Sequence, residues 1–133
     1  MERTYIMTKP DAYKRKLIGK IISRIEEKGY QITDMKMMML NEEILKEHYS
    51  HLVDVPFFPK IVEFMTSGPV IGMIVEGPEV VKGMRILMGT TKWHDAVPGT
   101  IRGDYANTTT ENLIHGSDSV ENAEIEIKRF FGN

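Results

Sequence analysis

The chain has 133 residues, a net charge of −2, no cysteine and an apolar fraction of 41%. These values exclude disulfides and cysteine-based metal sites, and they argue against nucleic acid as a partner, because duplex-binding surfaces are usually basic. The N-terminus lacks the apolar stretch of a signal peptide, and no apolar run approaches the roughly 20 residues that span a bilayer. We therefore expect one domain over residues 1–133, located in the cytoplasm, with no membrane partner.

The first third of the chain predicts two strands around a helix. Residues 3–9 are rich in β-formers and stop at Pro10, which indicates a strand. Isoleucines at helical spacing predict a helix from Gly19 to Lys28, ended by the glycine that follows. Residues 30–39 alternate as a strand does, but the phase slips at residues 33–34, which predicts a β-bulge.

The middle of the chain predicts three helices and a buried strand. Asn41 can cap a short helix whose apolar stripe is Ile44, Leu45, His48 and Leu52. A second helix is expected after Pro59. Residues 70–75 are apolar throughout, as in a central strand covered on both faces. Pro78 is expected near the first position of a further helix.

The last part of the chain predicts a long loop, a short strand and a final helix. Residues 89–111 show no clear period, and long loops in compact domains are often functional. Residues 112–115 are expected to form a strand. Asp118 with Glu121 resembles a capping box. The buried stripe of the final helix is expected to be Val120, Ala123, Ile127 and Phe130.

The element order is β-α-β, a helical insertion, β-α, a long loop, then β-α. This order favours an α+β fold of the ferredoxin-like (split βαβ) type. We expect a four-stranded antiparallel sheet with helices packed on it and a long loop before the last strand. Many unrelated activities share such a sheet, so the function has to come from particular residues.

His115 stands out because Gly116 leaves room for a bulky charged group beside its ring. A neutral imidazole is a good nucleophile near pH 7 and can carry a group covalently, although a lone histidine is more often a core or turn residue. Lys9, Arg85 and Arg102 lie at element breaks or off buried stripes. Each alone suits a solvated surface charge, but together they suit polyphosphate chemistry. No GxxxxGK[ST] loop occurs, which excludes a Walker-type phosphate cradle.

Six ordered segments, collinear from about residue 2 to residue 131, give the chain a specific resemblance. They are MTKPDAYKR, EHYSHL, PFFPKIVEFMTSGP, VEGPEVVK, PGTIRGDYA and NLIHGSDSVENAEIEI. Together they resemble nucleoside diphosphate kinase. The resemblance implies that a nucleoside triphosphate gives its γ-phosphoryl group to a histidine and that a nucleoside diphosphate then takes it back, which predicts ping-pong kinetics.

The resemblance also implies roles for individual residues. His115 matches the phosphorylated histidine, which the family uses at Nδ1. Glu126 matches the carboxylate that holds the other ring nitrogen, and Ser117 matches a serine in that network. Lys9 and Asn112 match contacts to the ribose 3′-hydroxyl, and Lys9 also approaches the transferred phosphate. The remaining phosphate contacts match Tyr49, Arg85, Thr91 and Arg102.

For the nucleotide base, the resemblance implies stacking on Phe57 with Ile61 close by. Phe57 and Phe58 could each equally be a core anchor. Stacking tolerates every base, so we expect ATP, GTP and other NDPs and dNDPs as substrates. Mg²⁺ is expected to arrive on the nucleotide phosphates, with no metal ligand from the protein. Three other histidines are expected to be surface residues without chemistry: His48, His51 and His94.

The resemblance implies a homo-oligomer, a hexamer rather than a tetramer. Lys92 and Trp93 stand where Asn-Pro is common in the family, in a loop that takes part in subunit contacts there. Trp93 is therefore either an interface anchor or a side chain folded over its own core. Two other functions remain open: a phosphohistidine carrier that docks on proteins, and a regulatory nucleotide-binding module without turnover. A histidine phosphatase is disfavoured because no Arg-His-Gly triplet occurs.

Overall fold

A computed structural model describes residues 1–132; Asn133, the last residue of the predicted domain, lies outside the described residues. The strands are β1 (Glu2–Thr8), β2 (Gln31–Met38), β3 (Val70–Gly77) and β4 (Ile114–Gly116). The helices are α1 (Pro10–Lys14), α2 (Ile18–Glu27), α3 (Glu42–His48), α4 (Phe58–Met65), α5 (Val80–Met88), α6 (Ile101–Tyr105) and α7 (Val120–Phe131). Two 3-10 turns cover Ser50–Leu52 and Trp93–Asp95.

The four strands form one sheet in the order β2-β3-β1-β4, and each neighbouring pair is antiparallel. This confirms the predicted antiparallel α+β sheet. Strand β3 lies inside the sheet and is almost entirely buried, as its apolar sequence predicted. The β2–β3 register shifts between Ile32 and Asp34, which confirms the predicted bulge.

The two faces of the sheet carry separate cores because strand side chains alternate. Ile6 of β1 packs with buried residues of α2 and α5 on one face. Tyr5 and Met7 pack with buried residues of α3, α4 and α7 on the other. His115 in β4 lies opposite Met7 in the antiparallel register. The sheet therefore directs His115 toward the face that is covered by α3 and α7.

Several predicted boundaries were wrong for local reasons. Helix α1 was missed, although Pro10 at its first turn and Asp11 beside it are typical helix-start residues. Pro78 does not begin α5, because Glu79 is the N-cap, with a left-handed φ of 48°, and the helix starts at Val80. Helix α3 ends at His48, so Leu52 belongs to the following 3-10 turn.

Two corrections concern the C-terminal third. The predicted loop over residues 89–111 contains helix α6, which Thr100 caps by accepting from the amide of Gly103. Ser119, not Asp118, caps α7, since its side chain accepts from the amide of Asn122. The cap at Ser119 places Val120 in the first turn, where it is 44% exposed and lies outside the predicted buried stripe.

Candidate active site

A strained turn immediately precedes β4. Leu113 has a φ of 79°, and the amide of Ile114 donates to the carbonyl of Asn112 at 3.0 Å, the pattern of a γ-turn. The turn is held because the amide of Lys9 donates to the carbonyl of Leu113 at 2.8 Å. A non-glycine residue in this region costs free energy that the surrounding structure must supply, and such outliers cluster at functional sites.

The turn brings Lys9 and Asn112 together, which agrees with the shared contact that the resemblance implied for them. Lys9 Nζ donates to Asn112 Oδ1 at 2.8 Å, and Asn112 Nδ2 donates to the carbonyl of Thr109 at 2.9 Å. Burial, with a further contribution from the charge of Arg102, lowers the pKa of Lys9 to about 8. The ammonium group is thus held in place and is poorly solvated, so an incoming anion would strengthen its charged form.

His115 forms a partly buried hydrogen-bonded network with two predicted partners. Its Nε2 lies 2.8 Å from Oε1 of Glu126, and Ser117 Oγ donates to the same oxygen at 2.8 Å. The side chains of His115 and Glu126 are 22% and 13% exposed. Burial opposes ionisation of Glu126, but the hydrogen bonds from His115 and Ser117 lower the pKa of its carboxyl below the usual value. An ionised Glu126 accepts from an Nε2–H group, which leaves the lone pair of His115 on Nδ1.

Two arginines are fixed against the backbone of β4 and its surroundings. Arg102, on α6, donates to the carbonyls of Gly89 at 2.8 Å and Ile114 at 2.5 Å. Arg85, on α5, donates to the carbonyl of Gly116 at 3.3 Å. Burial, followed by the nearby charge of Arg85, lowers the pKa of Arg102 to about 10. The guanidinium groups thus contact the backbone carbonyls of the two residues that precede and follow His115 in its strand.

A cavity of about 600 Å³ joins these groups. The predicted residues that line it are Lys9, Tyr49, Arg85, Thr91, Arg102, Asn112, His115 and Glu126. Tyr49 is the C-cap of α3, and burial together with the charge of Glu126 raises the pKa of its hydroxyl to about 12. The hydroxyl is therefore a hydrogen-bond donor at neutral pH, and the cavity combines a histidine with four cationic side chains, Lys9, Arg85, Arg102 and Arg129.

The two residues predicted to hold a base lie elsewhere on the surface. Phe57 is the N-cap of α4 and is 52% exposed, and Ile61 is partly buried on the same helix. Neither is among the cavity-lining residues that are described. Phe58 is only 6% exposed. Of the two adjacent phenylalanines, Phe58 is therefore the core anchor and Phe57 lies on the surface.

His48 is not the surface residue that the sequence suggested, whereas His51 and His94 are exposed. His48 is 8% exposed, and its ring centroid lies 4.6 Å from that of His115 at an interplanar angle of 77°. Arg129 Nη1 lies 2.8 Å from its Nδ1. The signal that could have found His48 was its place on the apolar stripe of α3, which implied burial.

His48, His115 and Glu126 each offer one potential ligand atom, and these atoms lie within 4.8 Å of one another. Arginine can only donate, so Nδ1 of His48 is an acceptor for Arg129 and the ring hydrogen is on Nε2. The Nε2 atom of His48 therefore has no free lone pair, and Oε1 of Glu126 is already engaged. The cluster does not fit a resident metal ion, and Mg²⁺ prefers oxygen ligands in any case.

Comparison with known proteins identifies the family that the chain resembles. The profile of the family described as nucleoside diphosphate kinase matches residues 2–133. A nucleoside diphosphate kinase of Exiguobacterium sibiricum is 54% identical over 131 residues, which cover 98% of this chain and 95% of that protein. One of Thermus thermophilus is 50% identical over 131 residues, covering 98% of this chain and 96% of that protein.

Solved structures agree with these relatives. The apo nucleoside diphosphate kinase of Encephalitozoon cuniculi is 52% identical, with a TM-score of 0.97 over 100% of this chain and 90% of that chain. The Halobacterium salinarum enzyme, solved in complex with CDP, is 48% identical, with a TM-score of 0.95 over 99% of this chain and 88% of that chain. The fold predicted from the element order is the fold of these proteins.

Proposed function

Because the chain belongs to the nucleoside diphosphate kinase family, we propose that Nδ1 of His115 is the atom that carries the phosphoryl group between two nucleotides. The enzyme transfers the γ-phosphoryl group of a nucleoside triphosphate to a nucleoside diphosphate. The observation that carries the assignment is the 2.8 Å contact between His115 Nε2 and Glu126, because it leaves the nucleophilic lone pair on Nδ1.

In the first half-reaction, the Nδ1 lone pair attacks the γ-phosphorus. The bond between that phosphorus and the β,γ-bridging oxygen breaks, and its electron pair leaves with the nucleoside diphosphate. In the second half-reaction, a terminal phosphate oxygen of another diphosphate attacks the phosphorus, and the N–P bond breaks. Glu126 accepts the Nε2–H hydrogen bond throughout, and it stabilises the positive charge that develops on the ring.

The cavity supplies positive charge where the phosphate oxygens would lie. All five polar residues proposed for the phosphates line it, and we infer that Lys9 and Tyr49 donate to the transferred group and that Arg85, Thr91 and Arg102 donate to the outer phosphates. Because Arg102 is already fixed by two carbonyls, it needs little reorganisation when charge develops on the phosphate. We infer that Lys9 and Asn112, joined at 2.8 Å, also meet the ribose 3′-hydroxyl.

The family needs a divalent metal ion for phosphoryl transfer. We propose that the ion is Mg²⁺ and that it enters as part of the metal–nucleotide substrate. Among the cavity carboxylates that are described, Glu126 is held by His115 and Ser117, Asp118 accepts from Asn122 Nδ2 at 2.5 Å, and Glu47 pairs with Arg129 at 3.5 Å. Such engaged carboxylates do not provide the oxygen cage that Mg²⁺ requires, whereas nucleotide phosphates do.

We propose a broad nucleotide range covering ATP, GTP and other NDPs and dNDPs. The exposed ring of Phe57 supports stacking by any base, because every base has a π-face. The nucleotide's phosphates and sugar would meet the fixed polar groups, while its base would meet only an apolar surface. Specificity is thus expected to lie in the phosphates and the 3′-hydroxyl rather than in the base.

We propose a homo-oligomer, a hexamer rather than a tetramer, acting in the cytoplasm. Support comes from edge strand β2, where Met35 and Met37 are 43% and 60% exposed, and from the partly exposed Trp93. Exposed apolar side chains along an edge strand favour association. Light scattering tests the mass of the assembly. Over residues 1–132, no helix is long and apolar enough to cross a membrane.

The decisive experiment is intact mass spectrometry after brief exposure to Mg-ATP alone. We expect one acid-labile phosphate per chain, released on addition of any NDP. His115→Ala is expected to gain no phosphate and to lose turnover while keeping its fold by circular dichroism. His94→Ala, an exposed histidine outside the cavity, is the matched control and should behave as the native chain.

The same measurement separates the alternatives. A phosphohistidine carrier that docks on proteins would not be discharged by free NDP, and a regulatory module without turnover would show no burst of ADP. Normal phosphorylation and turnover of His115→Ala would overturn the assignment of His115 as the residue that carries the phosphoryl group.

A further inference from the structure

His48 packs against the ring of His115, and Arg129 contacts His48; all three residues line the cavity. Arg129 Nη1 lies 2.8 Å from His48 Nδ1, and the His48 ring packs edge-to-face against His115, Tyr49 and Phe130 at centroid distances of 4.6, 4.8 and 5.2 Å. The Arg129 side chain is 14% exposed. An always-charged donor is therefore fixed on one nitrogen of a buried neutral ring.

The contact decides where the proton of His48 resides. Arg129 cannot accept a hydrogen bond, so His48 Nδ1 must keep its lone pair. A neutral ring then carries its hydrogen on Nε2, and an imidazolium is disfavoured because its Nδ1–H would face the guanidinium. The Nε2 atom of His48 is buried and has no hydrogen-bond partner in the part of the chain that the structure describes.

Any other state of His48 would interfere with His115. Nitrogen of His48, nitrogen of His115 and oxygen of Glu126 lie within 4.8 Å of one another. A charged His48 would compete with His115 for the Glu126 carboxylate. A neutral His48 with its hydrogen on Nδ1 would place a second acceptor beside the Nε2–H of His115. Either change would weaken the hydrogen bond that keeps the His115 lone pair on Nδ1.

We propose that Arg129 is a positioning residue for phosphoryl transfer: by donating to His48, it keeps that ring neutral and in the Nε2–H form, which puts neither a positive charge nor a free acceptor beside the hydrogen bond between His115 and Glu126. The inference rests on the proposed role of His115 as the carrier. Arg129 acts through His48, although its side chain also borders the cavity, and so kcat and KM have to be measured separately for its variants.

The charges that face His48 agree with this role. Burial is the main reason that the pKa of His48 is lowered to about 3; the neighbouring His115 on β4, Arg129 on α7 and Lys9 beyond β1 act in the same direction. Glu126 on α7 opposes them. From its own helix, the capping residue Tyr49 contributes a neutral ring, and Glu47 contributes a carboxylate that lies 3.5 Å from Nε of Arg129. Removal of Arg129 would raise the pKa of His48 and also free its tautomer.

Four variants test the proposal against simple packing. Arg129→Met keeps the aliphatic length and removes the donor, and we expect kcat to fall about tenfold near neutral pH with little change in KM. The loss should grow as the pH is lowered toward about 5, because His48 can then become charged. Arg129→Lys retains a charged donor and should recover most of the activity. Lys128→Met, an exposed neighbour with the same charge change, is the control.

The fourth variant carries Arg129→Met together with His48→Phe, which has a ring that cannot titrate. We expect it to be faster than Arg129→Met alone at acid pH, whereas a packing role would make it slower. The proposal would be overturned if Arg129→Met had the same kcat and pH profile as the native chain. An equal loss of kcat in Arg129→Lys and Arg129→Met would also overturn it.

Nitrogen NMR of the imidazole rings provides a readout independent of turnover. The native chain is expected to show His48 in the Nε2–H form between about pH 5 and 8, and Arg129→Met should show a mixture. Detection of the Nδ1–H form or the imidazolium in the native chain would contradict the proposal. Because this measurement needs no phosphorylation, its failure is distinguishable from failure of His115 as the carrier.

Discussion

The two walls of the proposed nucleotide site differ in how completely they are built. On the wall made by β4 and α7, Glu126 is fixed by His115 and Ser117. On the wall of α4 and residues 89–100, Thr91 lines the cavity and is exposed, while Phe57 lies outside the cavity lining and is 52% exposed. The groups proposed for the chemistry are thus already held in place, while those proposed for recognition are not.

The difference follows from local structure. Strand β4 is paired with β1, and α7 has twelve residues, with a side-chain cap at Ser119 and buried residues along its length. The opposite wall has only a 3-10 turn at Trp93–Asp95 within residues 89–100. Mutations on the first wall should therefore change kcat, and mutations on the second should change KM. Three experiments probe this comparison.

The largest effect is expected for Glu126→Gln on the organised wall. Glutamine can still accept from Nε2–H, but it carries no charge to stabilise the ring as the N–P bond forms. We expect kcat for His115 phosphorylation to fall about 10²- to 10³-fold with KM nearly unchanged. Single-turnover mass spectrometry measures the rate. Glu124→Gln on the same helix, whose partner is Arg3 at the surface, is the control.

A kcat within about twofold of the native value in Glu126→Gln would show that the carboxylate only orients the ring. The distinction between the walls would then rest on geometry alone, not on charge.

Lys9 gives a smaller effect that depends on pH. Its folded-state pKa is lowered to about 8, so the ammonium is charged below that pH and neutral above it. We expect kcat/KM to decline about tenfold per pH unit above about pH 8, as the free enzyme loses this cation. Lys9→Met should be slow at every pH and lack this alkaline decline. A flat native profile between about pH 7 and 9.5 would contradict the assignment.

The parts of the fold that were predictable were those with regular periods. The apolar run predicted strand β3, and the isoleucine spacing predicted helix α2. The slip in the alternation of β2 predicted its bulge. Helix α6 was missed because a five-residue helix is too short to show a period. Its cap at Thr100 was visible in the sequence, but a single threonine is a weak signal.

The candidate site shows the same division. Six ordered segments that resemble one family pointed to residues that the structure brings together, such as Glu126 and His115, while their chemical roles stay predictions. The contact between His48 and Arg129 was not predictable, because the two residues are 81 positions apart in the sequence and only the fold brings them together. Hydrogen-bond partners set by tertiary packing leave no local periodic signal, so His48 looked like an ordinary surface histidine.

The smallest effect is expected on the open wall, for Phe57→Leu. Leucine keeps an apolar surface but loses the π-face, and stacking on an aromatic ring contributes about 1–3 kcal/mol per base, so KM should rise about fivefold or more for every nucleotide. Because Phe57 is 52% exposed, the free energy of unfolding and kcat should hardly change. Phe58→Leu, a change of equal size at a buried neighbour, should show the reverse pattern of lower stability. A change in kcat with constant KM for Phe57→Leu would mean that α4 helps to organise the chemistry, and the two walls would then act as one unit.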